Sequence, residues 1–284
     1  MKVTELAKAK INLTLDILNK RADGFHEVEM IMQTIDLTDQ MIFSLRNDMD
    51  ITIECDVSYV PTDDRNLAYK AAKLLQDRYS IKKGAHIILH KKIPVSAGLA
   101  GGSSNAAATL RGLNQLWDIG LTLEELVTLG AEIGSDVPFC VYGGGTGIAR
   151  GRGELIERIP KAPPMIVLLA KPQLSVSTSV IYQNFNFDNI MHKPNTKEMI
   201  NAIINQDAKM ICDNLANVLE TVTLSMHPEV ERLKEQMLAF GADGVLMSGS
   251  GPTVYGIVLK EKRAASIFNA LRGFCNEVYF VRTC

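Results

Sequence analysis

Two hydrophobic periods alternate along the chain, and the points where one gives way to the other outline its elements. Residues 11–18 carry apolar side chains at 11, 13, 15 and 17 and polar ones at 12, 14 and 16. That period of two predicts a half-buried strand. Further extended segments are predicted around 27–35, 42–55 and 85–90. After Asp63 and Asp64 the period becomes helical, with Leu67, Ala71, Leu74 and Leu75 on one face. Residues 103–117 form a second predicted helix, striped by Ala106, Leu110, Leu113 and Trp117 and entered directly from a glycine-rich loop. A third begins at Thr122, where Glu125 completes a capping box, and runs through Leu123, Leu126 and Val127 to stop near Gly134. Beyond it Pro138 predicts an extended Val137 and no further helix.

From about residue 155 the pattern changes to a strand over 165–170, several helices and a closing strand-turn-strand unit. The helix over 228–240 has Pro228 at its start, Val230, Leu233, Met237 and Leu238 inward, and Gly241 where a C-cap belongs. Strands over 244–248 and 254–259 then flank the turn at 249–253. No repeat or low-complexity run interrupts this order.

A length of 284 residues exceeds the usual ~100–200 of one domain. Two domains, 1–158 and 159–284, are expected. With 46% hydrophobic and 22% charged residues the composition is that of a globular protein, not a disordered chain or fibre. Thirty basic against 32 acidic side chains leave a formal charge of −2. No surplus points to nucleic acid or an anionic membrane. Five scattered cysteines with no paired spacing suit reduced thiols. The charged N-terminus and the short aliphatic run at 165–170 fit neither a signal peptide nor a membrane span. A soluble cytoplasmic protein is the expectation.

Glycine changes this picture, because 14 of the 21 fall within three stretches, 98–102, 143–153 and 241–256, that read as backbone-permissive loops. The stretch from Pro94 through Gly98, Leu99, Ala100, Gly101 and Gly102 to Ser103 and Ser104 places small residues and hydroxyls at a helix start. Free N–H donors and the positive helix end suit such a place to anions. It is neither a Walker A loop nor a Rossmann fingerprint. A plain strand-to-helix turn would need only about 2–6 residues. Asp136, beside the proline turn, suits either turn capping or proton acceptance from an alcohol. Lys10 suits either a solvated strand end or charge compensation. Phe25 and His26 share a turn after Asp23 and Gly24, either a hairpin tip or the stacking and hydrogen-bonding pair that a nucleobase requires. The turn at 249–253 reads either as a hairpin or as a second phosphate-facing loop.

Taken together and in order, Ala9-Lys10-Ile-Asn12-Leu, the loop at 94–104, Gly134-Ser-Asp136-Val-Pro-Phe and Ser248-Gly-Ser-Gly-Pro-Thr-Val254 resemble the GHMP superfamily of small-molecule kinases. The resemblance covers essentially the whole chain. It implies an α+β, two-domain fold, a ribosomal-protein-S5-like N-terminal domain with a ferredoxin-like C-terminal one, and ATP with Mg²⁺ as cofactors. Arg21-x-Asp23-Gly-Phe-His26 and Arg65-Asn66-Leu-x-x-x-Ala71 narrow it to members whose acceptor alcohol carries cytidine.

By that resemblance Asp136 would be the general base and Lys10 would orient the hydroxyl beside it. Asn12 would line the acceptor site, with Phe25 and His26 on the cytosine and Tyr182 as a second stacking ring. Pro94, Gly98, Leu99, Ala100, Gly101, Gly102, Ser103 and Ser104 would hold the ATP phosphates, and Asn66 would lie near the adenine. No metal ligand is assigned. The family turn more often has Tyr at the position of Phe25, a change that keeps stacking and deletes a hydroxyl. Competing readings are a GHMP kinase for a mevalonate-like or homoserine-like alcohol, an RNA-binding relative of the S5-like domain, and a catalytically faded homologue. The balanced charge argues against RNA.

Overall fold

The computed structural model describes residues 2–190 and 192–284. Its strands are β1 (Lys2–Lys20), β2 (His26–Arg46), β3 (Ile51–Cys55), β4 (Gly84–His90), β5 (Thr146–Arg150), β6 (Leu155–Ile159), β7 (Ile166–Lys171), β8 (Ala216–Asn217), β9 (Gly244–Met247), β10 (Val254–Val258) and β11 (Glu277–Arg282). Its helices are α1 (Leu67–Arg78), α2 (Gly101–Leu116), α3 (Leu123–Ile133), α4 (Val137–Val141), α5 (Thr178–Gln183), α6 (Thr196–Ile204), α7 (Ala208–Asp213), α8 (Glu220–Met226), α9 (Pro228–Ala239) and α10 (Glu261–Leu271). Two compact units share the chain. One holds Met1–Ala9, Leu37–Val95 and Ala100–Gly144, the other Lys10–Asp36, Ser96–Leu99 and Gly145–Cys284.

In the first unit the latter part of β2 pairs antiparallel with β4, Gln40 opposite His90 through Arg46 opposite Gly84. β4 pairs in parallel with β3. Helix α2 lies directly on β2: a side chain at Gly112 would meet the Phe43 ring at 2.5 Å. Ala106, Leu110 and Leu113 are fully buried along the same helix, as their spacing predicts. Helix α1 opens with the Asn66 side chain accepting from Ala68 N–H at 2.9 Å. α3 opens with the expected capping box, Glu125 N–H to Thr122 Oγ1 at 3.3 Å and Thr122 N–H to Glu125 Oε2 at 2.8 Å. The prediction fails at Pro138. Val137 begins the short helix α4, because proline in the first turn has no N–H that a helix would use.

In the second unit β1 pairs in parallel with β8, Thr14 opposite Ala216. The first part of β2 pairs antiparallel with β5, and β5 with β6. This hairpin falls where glycine density suggested only loop. A separate antiparallel sheet has the order β11-β7-β10-β9. Its strands stand fourth, first, third and second in chain order, the ferredoxin-like arrangement. Helix α9 ends at Gly241, whose φ of +95° is the left-handed stop the sequence anticipates.

The strand predicted over 11–18 exists but is not half-buried. Lys10, Asn12, Thr14 and Asp16 are 4%, 0%, 0% and 7% exposed, and Ile11, Leu13, Leu15 and Ile17 are buried opposite them. Alternation says that polar and apolar side chains point opposite ways; it does not say that the polar face meets water. Among the described residues no helix is long and apolar enough to cross a membrane.

Candidate active site

The buried polar face of β1 is anchored at several points. Lys10 Nζ donates to Asn12 Oδ1 at 2.8 Å. The Asn12 carbonyl accepts from the Tyr255 hydroxyl at 2.8 Å. Tyr255 is fully buried on β10, and desolvation pushes its phenol well above the ordinary range, so the hydroxyl remains a donor. Farther along, Thr14 Oγ1 accepts from Ile31 N–H at 3.1 Å. Asp16 completes this face. Burial raises its carboxyl pKa, opposed by its bond from Ile17 N–H and by Lys193.

The glycine loop leaves the first unit after Val95 and returns to it at Ala100. In the second unit its tip rests on the β9–β10 turn. Gly98 has a φ of +72°, and a Cβ there would lie 2.1 Å from the Ser248 carbonyl oxygen. Ser248 Oγ donates back to the Gly98 carbonyl at 2.9 Å, and Lys10 N–H donates to the Leu99 carbonyl at 3.1 Å. Asn217 Nδ2 holds the turn itself, donating to the carbonyls of Met247 and Gly249 at 2.9 and 2.8 Å. Loop and turn are thus one braced unit, and Lys10 is tied to it through the main chain.

In the first unit Ala100 takes the left-handed conformation, with φ 56°, and makes no side-chain cap to α2. Gly102 is exposed, and Gly101 and Ser103 are half-buried at the helix start. Ser104 is different: it is buried, and its Oγ donates to the Lys8 carbonyl at 2.6 Å. Asn66 is likewise engaged on both sides, since its Nδ2 donates to the Pro61 carbonyl at 2.6 Å while Oδ1 caps α1. Asp136 stands half-buried at the entrance to α4 without capping it.

The turn at 21–26 is tightly tied. Arg21 donates to Asp23 Oδ2 at 3.1 Å and to Glu27 Oε2 at 2.7 Å, and Phe25 N–H donates to Asp23 Oδ1 at 3.1 Å. This presents Phe25 outward, 52% exposed, with the Arg152 guanidinium 5.1 Å from its ring centroid. His26 packs 5.4 Å from Tyr182, tilted by 41°, and lies edge-on to Phe185 at 6.4 Å. Tyr182, on α5, thus lies beside His26 of that turn. Burial, then Lys20, lowers the His26 pKa below its ordinary 6.5, so the neutral ring offers one donor and one acceptor near pH 7.

Sequence reasoning missed Tyr255, Asn217 and Arg152. Tyr255 and Arg152 act on partners more than a hundred positions away and Asn217 on carbonyls 30 and 32 positions away, and no local pattern marks such contacts.

Known proteins resemble this chain along nearly its whole length. The model of the GHMP kinases N terminal domain matches residues 66–144, and that of the GHMP kinases C terminal region matches 199–277. A 4-diphosphocytidyl-2-C-methyl-D-erythritol kinase of Brevibacillus brevis is 56% identical over 282 residues, covering 99% of this chain and 96% of that one. The kinase of the same description from Shouchella clausii is 58% identical over 282 residues, with 99% and 94% covered. A crystal structure of 4-(cytidine 5'-diphospho)-2C-methyl-D-erythritol kinase superposes with a TM-score of 0.84 at 29% identity, covering 99% of this chain and 98% of that one. With this identity along nearly its whole length, the chain belongs to the GHMP kinases and, within them, to the family of 4-diphosphocytidyl-2-C-methyl-D-erythritol kinases.

Proposed function

We propose that the protein transfers the γ-phosphoryl group of ATP to the 2-hydroxyl of 4-diphosphocytidyl-2-C-methyl-D-erythritol, a step of the non-mevalonate route to isoprenoid precursors. The observation that carries the acceptor assignment is the aromatic group of Phe25 and His26 on the braced turn with Tyr182 of α5 against His26, which suits a cytosine and has no use for mevalonate or homoserine. Phe25 and Tyr182 stack on the base and His26 bonds its edge. Asn12 lines the acceptor site, and Asn66 borders the adenine.

Asp136 takes the proton of the 2-hydroxyl as its oxygen attacks the γ-phosphorus; the bond from that phosphorus to the β-bridging oxygen breaks, and ADP leaves. Lys10 orients the hydroxyl and offsets the charge of Asp136. Pro94, Gly98, Leu99, Ala100, Gly101, Gly102, Ser103 and Ser104 hold the phosphates, largely through main-chain donors. Among the described residues no three His, Cys, Asp or Glu side chains cluster to hold a metal ion. Mg²⁺ would enter with ATP and would supply charge neutralisation at the phosphates. Residues 1–158 carry ATP binding and catalysis, and 159–284 form the C-terminal domain. The enzyme works in the cytoplasm as a monomer or homodimer on small molecules, without nucleic acid.

The test is ADP release with Mg-ATP and the cytidylated alcohol, run beside mevalonate and homoserine. Turnover with the cytidylated alcohol alone is expected, and turnover with either of the others instead refutes the assignment. Asp136→Asn is expected to lower kcat by about 10²–10⁴ while ATP still binds, and full activity in that variant removes Asp136 as the base.

A further inference from the structure

Asp39, on β2 immediately before the segment that pairs with β4, is fully buried, and its carboxylate is surrounded by donors. Oδ1 accepts from the main-chain N–H groups of Lys92 and Ile93 at 2.7 and 2.8 Å. Oδ2 accepts from Asn105 Nδ2 at 2.8 Å and forms a short ion pair with Lys91 Nζ. Lys91, with its side chain 6% exposed, also donates to the Ile93 carbonyl at 2.8 Å. A buried carboxylate is costly unless compensated, and here both oxygens are fully used.

The donors come from the two ends of one loop. Lys91, Lys92 and Ile93 immediately precede Pro94; Asn105 lies one helical turn after Gly101 on α2. The first residue of α2 rests on the same cluster, since a Cβ on Gly101 would meet Ile93 Cγ2 at 3.0 Å and Lys91 Nζ at 3.1 Å. One carboxylate thereby sets the distance between the entrance and the exit of the loop at 94–100, and the Lys91 ammonium sits beneath the positive end of α2.

We propose that Asp39 is a positioning residue for the ATP phosphates: it clamps the two ends of the glycine loop so that the N–H donors at the start of α2 are held in binding geometry. This rests on the reading of that loop as the ATP site. Asp39 touches no substrate; it acts through Ile93, Asn105 and Gly101.

Asp39→Asn keeps the Oδ1 acceptor for two N–H groups but turns the other atom into a donor facing Lys91 Nζ and Asn105 Nδ2. Binding of a non-hydrolysable ATP analogue with Mg²⁺, measured by calorimetry on the folded variant, is expected to weaken at least ~10-fold. The KM for the cytidylated acceptor should stay within about twofold, because nothing in the clamp bonds the aromatic turn. Asp39→Asn/Asn105→Asp, which restores a donor and an acceptor facing each other, should recover most of the analogue affinity.

A role confined to folding would lower the melting temperature and leave analogue affinity unchanged; that result overturns the proposal. If Asp39→Asn does not fold, Asn105→Ala decides in its place, with analogue affinity reduced at least ~3-fold as the expected result and unchanged affinity as the refuting one. Wild-type protein that fails to bind the analogue refutes the ATP site and the clamp together. Wild-type protein that binds it but phosphorylates none of the acceptors refutes the acceptor assignment alone, and the comparison of variants by binding still decides on Asp39.

Discussion

Replacing Gly98 by alanine tests whether the loop tip and the β9–β10 turn act as one body. The added methyl would lie 2.1 Å from the Ser248 carbonyl oxygen and 3.1 Å from that of Gly251, both main-chain atoms that cannot rotate away. Relief to an ordinary contact of ~3.4 Å requires the loop or the turn to shift by about 1 Å. The left-handed φ of +72° adds about 1–2 kcal/mol of strain for any residue with a Cβ, and the overpacking adds about 1–3 kcal/mol. A loss of roughly 3 kcal/mol corresponds to a melting temperature lower by on the order of 10 °C.

On the proposed role of this loop in holding the ATP phosphates, a displacement of about 1 Å is also expected to cost ~10²-fold in kcat/KM for ATP. Gly102 provides the contrast within the same motif. Its Cβ would meet only Leu67 Cδ1, at an ordinary 3.6 Å, and it sits in a helix where alanine is favoured over glycine by about 0.5–1 kcal/mol. Gly102→Ala should therefore keep or raise the melting temperature. Thermal denaturation of both variants, with initial rates against ATP for Gly98→Ala, reads the outcome. A Gly98→Ala protein with wild-type melting temperature and wild-type kcat/KM would refute the close-approach argument.

Phe25→Ala should raise the KM for the cytidylated acceptor by the loss of ~1–3 kcal/mol of stacking, about 5- to 150-fold, with the KM for ATP unchanged; an unaltered acceptor KM would place the cytosine elsewhere. The depressed His26 pKa carries a pH signature. Its folded-state value lies below its ordinary 6.5, so the neutral ring favours the folded state above that pH, and this contribution is lost as pH falls through the folded value. Initial rates should show the acceptor KM rising as the pH drops below the ordinary histidine range, and His26→Asn should flatten that rise. A KM that is independent of pH in the wild type removes His26 from base recognition.

The local signals survived folding where short-range physics suffices. The Thr122–Glu125 box, the stop at Gly241 and the stripe of Ala106, Leu110 and Leu113 involve neighbours within a turn or two. Chain order in the four motifs likewise contained the family. Context overruled the rest. Pro138 forbids helix before it only on average, and a first-turn position removes the objection. Glycines at 143–153 looked like loop because a strand such as β5 gains its pairing from β2, far away in sequence.

The candidate site residues and the proposed clamp show the same division. Alternation over 10–17 separates Lys10 and Asn12 from Ile11 and Leu13, yet whether the polar face is wet or buried depends on what covers it. Gly98 and Gly102 are equivalent as letters in one motif, and they differ because a carbonyl from residue 248 approaches only the first. Asp39 is an ordinary acid among polar neighbours until Lys91 and Asn105 converge on it. Periodicity and capping depend on bonds within a few residues and can be read from order alone. Close approach, burial and charge compensation depend on segments that meet only when the chain has folded.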